Sequence, residues 1–239
     1  MNAYSYSLPR QGNDLSEYED AFASGSVDGL FAIADGASGS LFQGVWARLL
    51  VEQFVRTPVC WERGWEDWLL DVQQQWIASL SGRTIDWNEE EKFEQGAMAT
   101  FLALRIDPAT NTSWWSLAIG DSCLFHVRDE KLLTAFPVSS SHGISTTTKL
   151  IGSRTPVHAV ISGREAQQSG QCQVGDFFFL ATDALARWFL EQCESGCQPW
   201  QTTLEACRIS TDSFSAWIES LRSLGTLMND DVTLVVVEV

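Results

Sequence analysis

The feature that most restricts the fold is a change of hydrophobic period midway along the chain. From Ala97 to Phe136 the apolar residues fall into short runs: Ala97–Ile106, Ser113–Ile119, Cys123–Val127 and Leu132–Phe136. Each run is rich in aromatic or β-branched residues, which favour strands over helices. Asp107-Pro108 and Arg128–Glu130 supply turns between them. Strands in series with hairpin-like links need no crossover helices, and that points to antiparallel pairing.

Helices flank this block in groups. Phe42, Val45, Trp46, Leu49 and Leu50 recur at helical spacing from Leu41 to about Val55, and Pro58 follows the end. Trp65, Trp68, Leu69, Val72, Trp76 and Leu80 mark a second helix. Two strands, Asp20–Ser24 and Leu30–Ala34, precede them around a Gly25–Gly29 turn. The acidic stretch Ser81–Gln95 reads as a solvated face or a helix start. Residues 138–170 read as irregular, with many Ser and Thr. A strand at Phe177–Ala181, helices at Leu185–Glu191, around Thr203–Cys207 and at Phe214–Leu224, and a last strand Val232–Val239 complete the chain. The pattern is α+β rather than alternating βαβ. Its natural packing is a four-layer αββα sandwich, two antiparallel sheets face to face with helix pairs outside. No repeat or linker divides the 239 residues, so one domain spanning 1–239 is expected. The 11 Trp suit helices packed on a broad core.

Charge narrows the partners. Fifteen Lys and Arg against 31 Asp and Glu leave a net charge of −16. Such a chain is a poor partner for nucleic acid or an anionic membrane, which need a basic surface; it suits hard cations. The Cys residues (Cys60, Cys123, Cys172, Cys193, Cys197 and Cys207) form no CxxC pair and read as free, mostly buried thiols in a reducing compartment. The N-terminal MNAYSYSLPRQGNDL has no basic and apolar leader pattern, and no run approaches the ~20 apolar residues that span a bilayer. A cytoplasmic protein, monomeric by default, is the expectation.

The chemistry sits at strand ends. FAIADG places Asp35 after one strand, SLAIGDS places Asp121 after another and FFFLATDA places Asp183 after a third. YEDAF sets Glu19 and Asp20 before the first strand, and MNDDVTLVVVEV sets Asp230 and Asp231 before the last. A lone strand-end Asp is usually a turn or cap residue. Several on one sheet edge would converge, and converging carboxylates repel unless cations neutralise them. All-oxygen ligands of this kind suit Mg²⁺ or Mn²⁺. Residue types alone leave a metal site and a set of solvated turn residues as alternatives.

The order YEDAF, FAIADGASG, GAMATFLALRI, WSLAIGDSCLFHVR, GDFFFLATDAL, NDDVTLVVVEV resembles the PPM/PP2C family of metal-dependent protein Ser/Thr phosphatases from about residue 19 to 239. Each motif is weak alone; the ordered set is specific. The resemblance implies the αββα fold and hydrolysis of phosphoserine and phosphothreonine in proteins by a water activated between two cations, with no covalent intermediate. It implies that Asp35 bridges two Mg²⁺ or Mn²⁺ ions and that the Gly36 carbonyl helps hold one. Asp183 and Asp230 would complete the second ion's ligands. Glu19 and Asp20 would act through metal-bound water, and Asp121 with Asp183 would support a third, weaker ion. Gly96, Ala97 and Thr100 match a packing element. The partners implied are a phosphorylated protein and a Ser/Thr kinase pathway.

The departures from the family pattern are informative. The usual DGxGG is Asp35-Gly36-Ala37-Ser38-Gly39, and no His stands at Ala37 to protonate the leaving group. Ala184 replaces the usual Gly after Asp183 and adds a Cβ, which is tolerable at negative φ. The final pair is Asp230-Asp231 rather than Asp-Asn, with Asp230 favoured as the ligand. No Arg stands a few residues before the acidic pair; the nearest is Arg10, nine residues before Glu19. Arg10 is the candidate phosphate grip, with Lys149, Arg154 or Arg164 in the flap-like segment 138–170 as alternatives. His126 and His142 read as structural or exposed. The missing Arg and Ala184 motivate a second reading, a pseudophosphatase that binds a phosphoprotein without hydrolysing it. A third is a structural domain whose carboxylates are simply solvated.

Overall fold

Strand alternation explains the layers of this structure, a computed structural model that describes residues 1–59, 64–83, 89–144, 149–156 and 167–239. The strands are β1 (Asn2–Leu8), β2 (Ala21–Gly25), β3 (Leu30–Ala34), β4 (Met98–Ala99), β5 (Phe101–Ile106) and β6 (Ser113–Ile119). They continue with β7 (Cys123–Arg128), β8 (Lys131–Phe136), β9 (Ile151–Gly152), β10 (Gln167–Gln171), β11 (Phe177–Ala181) and β12 (Val232–Glu238). The described helices are α1 (Gln43–Arg56), α2 (Trp65–Ser79), α3 (Glu90–Gln95), α4 (Asp183–Glu194), α5 (Pro199–Ile209) and α6 (Thr211–Ser223).

Two five-stranded antiparallel sheets form, in the orders β1-β12-β11-β7-β8 and β10-β6-β5-β3-β2, and β4 pairs with β9 beside them. Each central strand is buried on both faces, so it reads as a continuous apolar run. Phe31 and Ile33 of β3, Leu102 and Leu104 of β5 and Val235 and Val237 of β12 meet between the sheets. The alternate residues of β3 and β5, Ala32, Ala34, Phe101 and Ala103, face outward onto Trp46, Trp68 and Trp76 of α1 and α2. Leu234 and Val236 of β12 face the other way, onto Trp188, Trp200 and Phe214 of α4, α5 and α6. Three apolar layers therefore separate four layers of structure. Of the strand tryptophans, Trp114 lies between the sheets, and Trp115 is half-buried with its Nε1 donating to Gln167.

Three expectations need correction. The N-terminal segment, read only for a leader, is β1, an edge strand on β12. The segment read as irregular contains β10, which pairs along β6 from Gln167↔Leu117 to Gln171↔Ser113. Both edge strands are polar enough that backbone pairing, rather than side-chain burial, defines them. The run 97–106 is not one strand: β4 and β5 are interrupted at Thr100, whose N–H donates to the Asp35 carbonyl at 2.8 Å. Cys123, Cys172, Cys193, Cys197 and Cys207 are free thiols, and Cys60 lies outside the described residues. Among the described residues no helix is long and apolar enough to cross a membrane.

Candidate active site

Register puts the aspartates together. Ala21 pairs with Ala34, so Asp20 and Asp35 flank the same point of the β2–β3 ladder. Strand β6 runs the same way as β3 with β5 between them, so Asp121 leaves the same edge. In the other sheet Ala181 pairs with Leu234, which brings Asp183 beside the segment that carries Asp230 and Asp231. The two sheets stack with these edges aligned. Asp35 is influenced by Asp20, Asp183 and Asp230, and Asp183 by Asp230 and Asp121. The carboxylates named in the sequence, other than Glu19, therefore form one electrostatic cluster.

Glycines allow the approach. A Cβ on Gly36 would lie 2.7 Å from the Glu19 carbonyl, and one on Gly120 would lie 2.7 Å from Thr100 Cβ. Gly120 also has φ +109, a region that disfavours any side chain. Thr100 is more than a packing element. Its Oγ1 accepts from the Asp35 N–H at 3.0 Å and bonds Ser122 Oγ at 2.8 Å, joining the Asp35 loop to the Asp121 loop.

Burial without neutralisation sets the electrostatics. Desolvation raises the Asp35 carboxyl well above its usual range, and Asp20 and Asp183 add repulsion. Desolvation also raises Asp20, against the hydrogen bond from Thr233. Asp183 is pushed up to about 6 by burial and by Asp230 and Asp121. Asp20 Oδ2 accepts from Thr233 Oγ1 at 2.9 Å, whereas its buried Oδ1 has no partner among the described residues. Thr233 is held in turn: its N–H donates to Thr182 Oγ1 at 2.9 Å, and Tyr18 Oη bonds its Oγ1. Burial and the nearby Asp20 push the Tyr18 phenol well up, so it stays a neutral donor.

The other sequence-named residues fall into place around this cluster. Glu19 turns to the rim, where its carboxylate accepts from Ser38 Oγ at 3.2 Å and from the Gln43 amide at the start of α1. Asp183 lies in the first turn of α4, a helix that starts two residues earlier than its apolar pattern, and its Oδ1 accepts from the Ala184 N–H at 2.5 Å. Ala184 is buried inside that helix, not at a positive φ. Asp230 Oδ1 accepts only the Asp231 N–H at 2.9 Å among the bonds described. Asp231 faces the other way and accepts two backbone N–H groups, Arg10 at 2.8 Å and Glu19 at 2.8 Å. The Arg10 backbone thus lies against the cluster. Arg154 instead stacks over Phe93 at 4.7 Å and Trp76 at 5.8 Å on the helical layer, and Arg164 lies outside the described residues. Thr182 and Thr233 are the site residues to which the sequence pattern gave no role, although each lies inside a quoted motif; Thr100 was named there only as part of a packing element, and Asp231 only as the less favoured of the final aspartate pair.

Among the described residues, no three Asp, Glu, His or Cys side chains already stand at metal-ligating spacing. The donor set still fits a hard dication. Its donors are all oxygen, it carries more negative charge than its burial tolerates, and one buried carboxylate oxygen is left unsatisfied.

By sequence, the chain matches no family model and no curated protein. By structure, it is similar to the catalytic domain of the serine/threonine protein phosphatase PstP in complex with two manganese ions, at TM-score 0.62 and 19% identity over 99% of this chain and 97% of that one. PppA, a key regulatory component of T6SS in Pseudomonas aeruginosa, matches at TM-score 0.58 and 20% identity over 98% and 96% of the two chains. The PPM Ser-Thr phosphatase MsPP from Mycobacterium smegmatis, in complex with cacodylate, matches at TM-score 0.58 and 15% identity over 100% and 98%. These likenesses run the length of both partners, and the architecture they share with this chain is the αββα sandwich of the PPM/PP2C-type Ser/Thr phosphatases.

Proposed function

We propose that this chain is a Mg²⁺- or Mn²⁺-dependent phosphatase acting on phosphoserine and phosphothreonine in proteins, with residues 1–239 working as one catalytic domain. One observation carries the reading: buried and half-buried carboxylates from strand ends of both sheets converge, and Asp20, Asp35, Asp183 and Asp230 form no ion pair with the described residues. The fold shared with a phosphatase that holds two manganese ions supports it.

Asp35, reached by both sheets' aspartates, and the Gly36 carbonyl would help hold the cations. Asp183 and Asp230 would hold one of them, and Asp121 with Asp183 a third, weaker one. When bound, the cations supply charge stabilisation for the phosphoryl oxygens and a water acidic enough to attack at neutral pH. Asp20, oriented by Thr233, and Glu19, held by Ser38 and Gln43, would order that water. Arg10 would grip the phosphate. No Cys or His is required: His126 is engaged with Asp176 far from the cluster. A Ser/Thr kinase acting on the same protein is the partner class this chemistry implies.

The test is hydrolysis of para-nitrophenyl phosphate and a phosphothreonine peptide across a Mn²⁺ titration, with Asp35→Ala as control. Turnover that needs Mn²⁺ and is lost in the variant is expected. Full activity in chelator would sink the reading. A Mn²⁺-dependent rise in Tm without turnover would favour the binding-only pseudophosphatase, and no rise at all would favour solvated carboxylates.

A further inference from the structure

We infer that Asn229, Asp231 and Arg222 form a cradle that presents Arg10 at the rim of the carboxylate cluster, with Asp231 as a positioning residue; the inference rests on the phosphatase reading above. Strand β1 ends at Leu8, and the chain turns at once onto the segment before β12. The Pro9–Arg10 peptide is held at both of its polar atoms. Its carbonyl accepts from Arg222 Nη1 at 2.9 Å, and its N–H donates to Asp231 Oδ1 at 2.8 Å. The next residue is held as well: Gln11 N–H donates to Asn229 Oδ1 at 2.6 Å, and Gln11 C=O accepts from Asn229 Nδ2 at 3.2 Å.

The same two charged side chains reach the cluster. Arg222 Nη2 donates to the Asp230 carbonyl at 2.6 Å, and Asp231 Oδ2 accepts from Glu19 N–H at 2.8 Å. Arg10, Glu19 and Asp230 are therefore fixed to one another through their backbones. The Arg10 side chain has a partner in the same loop: in the amide orientation that satisfies both groups, Asn13 Oδ1 accepts from Arg10 Nε at 2.9 Å and Nη2 at 3.2 Å.

The carboxylate at 231 therefore links the Glu19 backbone to the Arg10 loop. Asp231 stands where the family usually has Asn. An Asn has one acceptor oxygen, and its NH₂ would face one of the two backbone N–H groups that Asp231 accepts. The carboxylate is needed because the chain must pin both the Glu19 backbone and a distant loop. That loop carries Arg10. Arg222 is buried, and its planar fork spans two carbonyls in a way a Lys could not.

The test uses full-length, Mn²⁺-loaded protein and a phosphothreonine peptide. Arg10→Ala and Asn229→Ala are each expected to raise KM by about five- to tenfold, with a smaller effect on kcat, as for loss of a charge-assisted substrate contact. The double variant should be no worse than Arg10→Ala alone, because both act through one guanidinium. In the metal-free protein, amide exchange should speed up at Gln11 in Asn229→Ala and at Arg10 in Asp231→Asn. A normal KM in Asn229→Ala beside a raised one in Arg10→Ala, or additive effects in the double variant, would overturn the cradle and leave the phosphatase reading standing. A wild-type protein with no turnover would remove the phosphatase reading. The cradle would then stand or fall on inorganic phosphate binding, which Arg10→Ala and Asn229→Ala must both weaken.

Discussion

Strand β11 is flanked by the buried Asp176 directly before its first residue and by the half-buried Asp183 two residues after its last, and the protein treats the two in opposite ways. Asp176, at one end, accepts from Arg128 Nε at 2.7 Å, Arg128 Nη2 at 2.6 Å, His126 Nε2 at 2.7 Å and the Gln173 N–H at 3.0 Å. Those donors hold its carboxyl below the usual carboxylate range despite burial. Asp183, roughly 20 Å away at the strand's rise per residue, accepts one backbone N–H and faces Asp230 and Asp121. A buried carboxylate with a full set of donors is architecture. One whose nearest electrostatic company is other carboxylates is kept for a ligand not supplied by the chain. The same strand, with the same apolar sequence between its ends, serves both.

The largest effect should come from breaking the uncompensated end. Asp35→Asn is expected to lower Mn²⁺-dependent turnover by about 10³-fold, about 4 kcal/mol in the barrier. The metal-free variant should nevertheless be more stable at pH 8, because it removes a buried like charge; a urea titration that finds it less stable would erase the contrast. Asp176→Ala should do the reverse. It strands a partly solvated guanidinium and should destabilise by about 3 kcal/mol in urea, while the folded fraction keeps its response to Mn²⁺.

A smaller effect sharpens the comparison. Thr233→Val removes the donor to Asp20 and should shift the Mn²⁺ midpoint upward by about 10–100-fold, as expected for a group that orients a ligand. Isothermal titration would show it, and an unchanged midpoint would reduce Thr233 to packing. The smallest effect is that of pH on the metal-free protein. Asp183 has a folded pKa raised from 3.8 to about 6, so the folded state holds its proton more tightly than the unfolded state. Stability from this group should rise as pH falls through about 6 and level off below 3.8. Asp176 has the opposite sign, stabilising above 3.8 and losing that contribution as pH falls through its depressed folded value. His126, depressed chiefly by burial, adds to the acid loss below its ordinary 6.5. Subtracting the Asp183→Asn profile of Tm against pH from the wild-type profile should isolate the first trend.

Much of this was legible in the residues. Leu30–Ala34, Ser113–Ile119 and Phe177–Ala181 are strands with the bounds their composition implies, because a strand buried on both faces must be apolar throughout. The aspartates after them were visible for the same reason: each interrupts an apolar run. The edge strands β1 and β10 were not legible, since their residues are largely polar and hydrogen bonding to a neighbour defines them. The break at Thr100 was hidden as well, because nothing in its own side chain announces that its N–H will leave the sheet for Asp35.

The sequence by itself determined which of the strongly apolar segments are strands and which helices, the α+β class, and the identity of the carboxylates at the strand ends. These follow from local periodicity and from the cost of burying polar groups, both of which act within a few residues. Only the tertiary structure decided how the carboxylates divide their work. Asp230 turns into the cluster while its neighbour Asp231 turns out to hold Arg10 and Glu19. Glu19 goes to the helix α1 while Asp20 goes to Thr233. Adjacent residues of one type carry the same local information. What separates them is which donors the register of two sheets, hundreds of residues apart in combination, brings within hydrogen-bonding distance.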